Sequence, residues 1–358
     1  MTSRSPDPAP FAYFDGMLAT GLVEVADLAV RPEALDRGWW AVCATFEGAV
    51  TGYRFASARR MPLPPASASW PGVGGPWRSS LTRAEYERGV GEIRRRIARG
   101  DVYQVNLCRV LTAELGREYD AVPGEAAVTD DGARRFDPLA LAHLLAVGNP
   151  ARYQGVLATG GDWLVTASPE LFLRRDGNML RSAPIKGTAG PGEPFAHKDT
   201  PENVMICDLV RNDLGRVART GSVQVESLLG RTELPGLAHL VSSVRAEIRS
   251  GIGWGETLAA TFPPGSVSGA PKHTALQVIS ELEPVPRGPY CGAVGYVDGD
   301  AGVAELAVGI RTFHTSGGGR ALHFGTGAGI TYLSDPAAEW AETELKAARL
   351  IALAGAPG

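Results

Sequence analysis

Cysteine is scarce in this 358-residue chain: Cys43, Cys108, Cys207 and Cys291 are its four, far apart, with no C-x-x-C pair. That leaves no disulfide framework, and the thiols read as reduced and mostly buried in a cytoplasmic protein. No apolar run approaches the ~18 residues of a membrane span. Met1 to Pro10 is polar and proline-rich, unlike a signal peptide. An excess of one charge is missing too. Thirty-five Lys and Arg face 39 Asp and Glu, so a net charge of −4 leaves no basic footprint for nucleic acid. Neither G-x-x-x-x-G-K-[ST] nor G-x-G-x-x-G is met, which removes the two commonest nucleotide loops. What remains is a soluble α/β chain, 44% hydrophobic, long enough for one large domain or two ordinary ones.

The stretch Ser182-Ala183-Pro184-Ile185-Lys186-Gly187-Thr188 sets one lysine between a rigid Ala-Pro entry and a Gly-Thr exit. Pro184 pushes Ala183 towards extended backbone, and Gly187 permits close approach. Lys186 is either a turn lysine on the surface or a nucleophile whose amine burial or cationic neighbours release. Upstream, Met61 to Trp77 reads as a loop or linker behind an N-terminal segment of strand-like runs such as Trp39 to Phe46. Thr82 with Glu85 makes a capping box. Tyr86, Val90, Ile93 and Ile97 follow at helical spacing, and Gly100 closes that helix.

Asp101 to Val110 alternates as a strand, with Gln104 and Asn106 on one face. Tyr153 to Thr159 and Trp163 to Ala167 pair around Gly160-Gly161-Asp162, and Ser168-Pro169-Glu170 follows. Glu170 is a carboxylate beside apolar residues, either an exposed turn group or an acid with a raised pKa. Thr200-Pro201-Glu202 opens a helix running to Asp213. His239 lies among apolar residues, and Gly265 to Lys272 is a Gly-rich loop entering a helix, where amides can hold an anion. Ala293 to Val297 and Ala304 to Thr312 form a strand pair around Asp298-Gly299-Asp300. Gly325, Gly327 and Gly329 alternate on Ala321 to Ile330, leaving one face bare for a ligand to touch backbone. Pro336 opens the last helix, whose Glu339, Glu342 and Lys346 share a face.

In this order the segments resemble the chorismate-utilising enzymes. Carrying the likeness are Asp101 to Leu107, Ser168-Pro169-Glu170, Pro184 to Thr188 and Glu202 to Asp213. They continue in His239 to Ser242, Gly265 to Lys272, Gly295-Tyr296, Gly309 to Thr312, Gly327 to Ile330 and Glu339 to Lys346. The resemblance covers roughly residues 80 to 355 and implies two large, mostly antiparallel sheets packed face to face with helices outside. Residues 1–80 are then a short N-terminal segment contributing to the same fold, and 81–358 the chorismate-binding catalytic domain.

The implied roles follow residue by residue. Water-adding members have lysine where this chain has Gln104, so ammonia is the expected nucleophile. Anthranilate synthases look like Pro-Ile-Ala-Gly-Thr, whereas Lys186 here resembles aminodeoxychorismate synthase component I. Lys186 would attack the ring with Glu170 as acid. Gln104, Thr188, His239, Tyr296, Arg311, Lys346 and the backbone of Gly327, Ala328 and Gly329 would hold chorismate. Glu202 and Glu342 would bind Mg2+, with Asp199 contributing through water. Ala189-Gly190-Pro191-Gly192 replaces the Arg-Pro-Arg run of many members. The chain has no cysteine in a G-x-C-x-G elbow, so ammonia is expected from a glutamine amidotransferase subunit or from free ammonium. Anthranilate synthase component I and a catalytically silent chorismate binder are the competing readings.

Overall fold

The computed structural model describes residues 9–115, 136–190, 192–195, 199–234 and 237–357. The stretch Glu118 to Asp137 is polar and acidic and reads from its sequence as a surface insertion; all but its last two positions lie outside the described residues.

The N-terminal strands are β1 (Phe11–Phe14), β2 (Met17–Asp27), β3 (Trp39–Ala44) and β4 (Val50–Arg60), followed by the short β5 (Arg78–Ser79). Helix α1 (Arg83–Arg99) begins at Thr82 with both arms of the capping box made, and ends on Gly100 in left-handed backbone. Next come β6 (Gln104–Glu114), α2 (Pro138–Gly148), β7 (Tyr153–Ala158), β8 (Trp163–Ser168), β9 (Leu171–Asp176), β10 (Met179–Ala183) and β11 (Ile185–Ala189). Helix α3 (Asp199–Gly215) precedes the long hairpin β12 (Gln224–Leu234) and β13 (Leu237–Glu247). The chain closes with α4 (Trp254–Thr261), β14 (Gly269–Ala270), α5 (Lys272–Leu282), β15 (Ala293–Asp298), β16 (Val303–Val308), β17 (Thr312–Ser316), β18 (Ala321–Ile330) and α6 (Pro336–Gly355).

Every strand pairing among the described residues is antiparallel, and the pairings run on as one ribbon rather than two separate sheets. Its first limb is β12, β13, β10, β9, β16 and β15. Strands β3, β4, β2 and β1 carry it across. The second limb is β7, β8, β17, β18 and β6, edged by β5 and β14. The N-terminal strands therefore bridge the two halves. The limbs do meet face to face: Trp39 and Val294 from one side pack with Leu157 and Leu164 from the other. Helices α2 and α6 cover the outer face of β7, β8, β17 and β18. Residues 61–77 hold no helix or strand, as expected, but they are no free linker. Trp70 Nε1 donates to the Ala354 carbonyl at 2.8 Å, clipping the segment to the end of α6.

The alternating glycines of β18 lie where the sequence puts them, but their bare face is not open along its length. A Cβ on Gly325 would come within 2.0 Å of the Tyr290 ring, and one on Gly327 within 2.6 Å of Cys108 Sγ. The chain's own side chains fill that space. Tyr290 is buried and cannot swing away. Gly325→Ala therefore forces the strand apart and costs about 1–3 kcal/mol or more, read as a lower urea midpoint with an unchanged m value. No helix among the described residues is long and apolar enough to cross a membrane.

Candidate active site

Lysine 186 is placed by an irregularity in the ladder. Strands β10 and β11 run in line along β13, interrupted at Pro184, which has no N–H to give. Ile185 pairs with Val241 and Thr188 with His239, so two residues, Lys186 and Gly187, stand opposite Leu240 alone. Gly187 takes φ 86°, the left-handed backbone that such a bulge demands. The extra residue turns Lys186 out of the ladder's alternation. Its Nζ donates to the Ser266 carbonyl at 2.8 Å, on the Gly-rich loop before α5. The side chain of Thr188 lies outside the described residues.

Glu170 sits at the joint between β8 and β9 and is 3% exposed, so the exposed-turn alternative is excluded. Its carbonyl accepts from the Val308 N–H at 3.0 Å, and its own N–H donates to Ser168 Oγ at 3.3 Å. Burial raises its carboxyl pKa. A hydrogen bond with the Ser266 side chain, the charge of Lys186, the Ile185 backbone and the charge of Lys346 pull the other way. The candidate acid and the candidate nucleophile thus share one residue, Ser266, which sequence reasoning did not single out. The loop around it was noticed, as an anion cradle at the start of α5. At that helix start the Lys272 side chain pairs with Asp213 of α3 at 2.8 Å and donates to the Thr261 carbonyl at 3.1 Å.

Two carboxylates flank the glycine strand. Gln104 is 2% exposed, and its Nε2 donates to Glu202 Oε1 at 3.0 Å. A Cβ on Gly329 would meet that amide at 2.3 Å and Glu202 Oε1 at 3.2 Å, so both groups press on the strand backbone. Two residues along the strand, the Gly327 carbonyl accepts from Lys346 Nζ at 3.0 Å, and Lys346 pairs with Glu342 at 2.8 Å. Asp199 lies instead over Gly187, where a Cβ would touch it at 2.9 Å. Glu339 turns away from the shared face and is 2% exposed, bonded to Ser334 at 2.6 Å.

Gln104 Oε1 is a buried acceptor with no partner among the described residues, beside a carboxylate. Two carboxylates and a neutral oxygen suit a hard cation such as magnesium, which takes few protein ligands and keeps water and substrate oxygens. No group of three or more His, Cys, Asp or Glu among the described residues could hold a metal by itself.

Arg311 and His239 come to the same end of the bulge. Expected within a continuous strand, Arg311 instead follows a break. Strand β16 stops at Val308, Ile310 N–H folds back to the Val308 carbonyl at 2.7 Å, and Arg311 takes φ 51°. This kink takes its side chain out of the strand's alternation. Burial lowers its pKa, and no carboxylate among the described residues pairs with it. A half-buried guanidinium in that condition suits an anionic ligand. His239 is driven down to about 4 by burial and then by the charge of Arg311, against a hydrogen bond with the Gly187 backbone.

His314 is held lower still, at about 3, by burial and its neighbour His323. Both folded values lie below the unfolded one, so between about pH 6.5 and 4 the unfolded chain binds the extra protons. Stability is then full above pH 6.5 and falls as the pH drops through that window. A melting series from pH 7 to 4 on wild type and His314→Gln checks it, because the other titrating groups are common to both; a variant that loses as much stability as wild type would refute it.

Tyr296 does not join the site. It shares the strand face of Val294, so alternation points it between the two limbs. There its ring stacks on Trp39 at 5.6 Å and its hydroxyl donates to Asp15 at 3.3 Å. Ala328 buries its methyl in the core, leaving only its backbone on the strand.

Residues 44–352 match the family described as chorismate binding enzyme. Anthranilate synthase component 1 of Streptomyces coelicolor is 36% identical over 306 residues, 80% of this chain and 56% of that protein. Aminodeoxychorismate synthase of Streptomyces pristinaespiralis is 38% identical over 290 residues, 77% of this chain and 37% of its own length. The chain thus spans about half the length, or less, of such curated relatives. Anthranilate synthase component I of Streptococcus pneumoniae shares the fold with a TM-score of 0.75 at 21% identity, covering 98% of this chain and 93% of that one.

Proposed function

The chain belongs to the chorismate-binding enzymes, and from that premise we propose that it converts chorismate and ammonia to 4-amino-4-deoxychorismate. One observation carries the reading: Lys186 Nζ, turned out by the bulge, shares Ser266 with a buried carboxylic acid whose pKa is raised. A nucleophile and an acid are thereby offered to one substrate. In the proposed sequence the free amine of Lys186 forms a bond to ring carbon 2. Both ring double bonds shift along the conjugated system, and the C4 hydroxyl leaves as water with the proton from Glu170. Ammonia then bonds to C4, the lysine departs as neutral amine, and the new ammonium returns a proton to the Glu170 carboxylate. Atoms and charge balance as chorismate plus ammonia giving aminodeoxychorismate plus water.

Arg311 offers an uncompensated positive charge to a substrate carboxylate. The imidazole of His239 is neutral at physiological pH and adds no second charge beside it. Glu202, beside Gly329, and Glu342, paired with the lysine that bonds the Gly327 carbonyl, would hold magnesium, whose charge offsets the ring carboxylate. Gln104 carries no basic amine, which argues against water as nucleophile. The ammonia source in this reading is a separate amidotransferase subunit or free ammonium.

Anthranilate synthesis is the competing reading, because relatives of both names match at similar identity. Incubation with chorismate, magnesium and ammonium, followed by product mass spectrometry, decides. Aminodeoxychorismate supports the proposal. Anthranilate, with its loss of pyruvate and near-ultraviolet fluorescence, or a bound but unchanged chorismate, overturns it.

A further inference from the structure

One buried cation has no part in that chemistry. Arg109 of β6 is 4% exposed. A guanidinium is costly to bury unless its N–H groups are used. Nε donates to Thr343 Oγ1 at 3.0 Å, Nη1 to Ser79 Oγ at 3.3 Å and Nη2 to Glu344 Oε1 at 3.4 Å. The guanidinium carbon also lies 4.1 Å from the Trp340 ring centroid. Three of these four partners belong to the stretch of α6 that carries Glu342.

The cross-strand neighbour of Arg109 is Thr326 on β18, and it grips the same place. Thr326 Oγ1 donates to the Thr343 carbonyl at 2.8 Å. Thr343 is fully buried, and its hydroxyl also donates to the Trp340 carbonyl at 2.8 Å. The next strand residue, Gly327, is the one whose carbonyl accepts from Lys346. Strand pair and helix are thus locked by hydrogen bonds at successive residues. A helix slipped by one residue turns by about 100°, which would carry Glu342 and Lys346 off the glycine strand.

We propose that Arg109, seconded by Thr326, is a positioning residue that fixes the rotation of α6 and so sets the affinity of the magnesium site built on Glu342. The inference rests on the magnesium reading above. Its test counts bound metal without turnover. Mn2+ is titrated into the full chain with chorismate present and ammonium absent, and the free ion is measured by electron paramagnetic resonance. Arg109→Met weakens Mn2+ binding about tenfold, the lower end of the loss when a direct outer partner of a metal ligand is removed, because Arg109 reaches Glu342 only through the helix. Its melting temperature moves little, because an apolar chain of similar length leaves no buried charge behind.

Thr343→Val weakens binding in the same direction with the charge retained, and Arg109→Lys recovers part of the loss. If Arg109→Met does not fold, the other two variants decide. Wild-type affinity in Thr343→Val and in every Arg109 variant that folds overturns the proposal, whatever the melting temperatures do. A wild-type chain that binds chorismate but no Mn2+ removes the magnesium reading itself, and the role of Arg109 falls with it.

Discussion

Lys186→Ala is expected to lower the amination rate by roughly a thousandfold or more, the scale seen when an enzyme loses its nucleophile. Chorismate binding should survive. The bulge is made by Gly187 and by the register of β11 on β13, not by the lysine side chain, so the backbone around position 186 keeps its course. Arg311, Lys346 and the glycine strand are likewise untouched. The Ser266 carbonyl loses its donor, but position 186 is only half-buried and water can replace it. The decisive readout is the mass of the intact protein with chorismate and magnesium when ammonium is withheld. Wild type should carry a lysine-linked adduct and the variant none. A variant that still aminates near the wild-type rate would show that ammonia attacks C4 directly, and the covalent route would be gone.

What the sequence disclosed, and what it hid, divides by the range of the interactions involved. Helix α1 could be bounded because its signals are local, Thr82 with Glu85 at one end and Gly100 at the other. Strand β18 was readable to the residue from the alternation of its glycines. Alternation names two faces but not their neighbours, so it could not say that Tyr290 and Cys108 fill most of the bare one. Tyr296 was assigned through the resemblance alone, and the pairing of β3 with β15 turns its face between the limbs instead. The environment of Lys186 depends on strand β13, some fifty residues on, and on a loop eighty residues on. The bulge is a property of that pairing and is invisible in Pro184 to Thr188 alone. Arg311 was hidden in a run that reads as unbroken strand. Its break comes from Gly309, packed so closely that a Cβ there would meet the Pro289 carbonyl at 2.0 Å. The two candidate acids of the metal site were found through resemblance. Their common neighbour, the glycine strand, emerges only in the folded chain, where Glu202 comes beside Gly329 and the lysine paired with Glu342 bonds the Gly327 carbonyl.

Glu170→Gln separates the chemistry from the stability of the same side chain. Its rate should fall about a hundred- to ten-thousandfold, the range general acids contribute. The amide cannot deliver a proton to the departing hydroxyl, although it keeps an oxygen for the Ser266 and Ile185 bonds. Stability should move the other way. The folded pKa of Glu170 is raised, with burial as the largest cause. Below the unfolded carboxyl range the group is protonated in both states and costs nothing by linkage. As pH rises through the folded pKa, the native state must either hold a proton that the unfolded chain gives up or bury a charge, and stability is lost. Glutamine has no such term. Melting temperatures of variant and wild type should therefore lie close together near pH 4.5 and diverge in favour of the variant towards pH 8. The histidine contribution is common to both proteins and cancels in the difference. A variant less stable than wild type across that range would mean that Lys186 and Lys346 satisfy an ionised Glu170. The residue would then be a structural anion, and the proton for the leaving group would have to come from elsewhere.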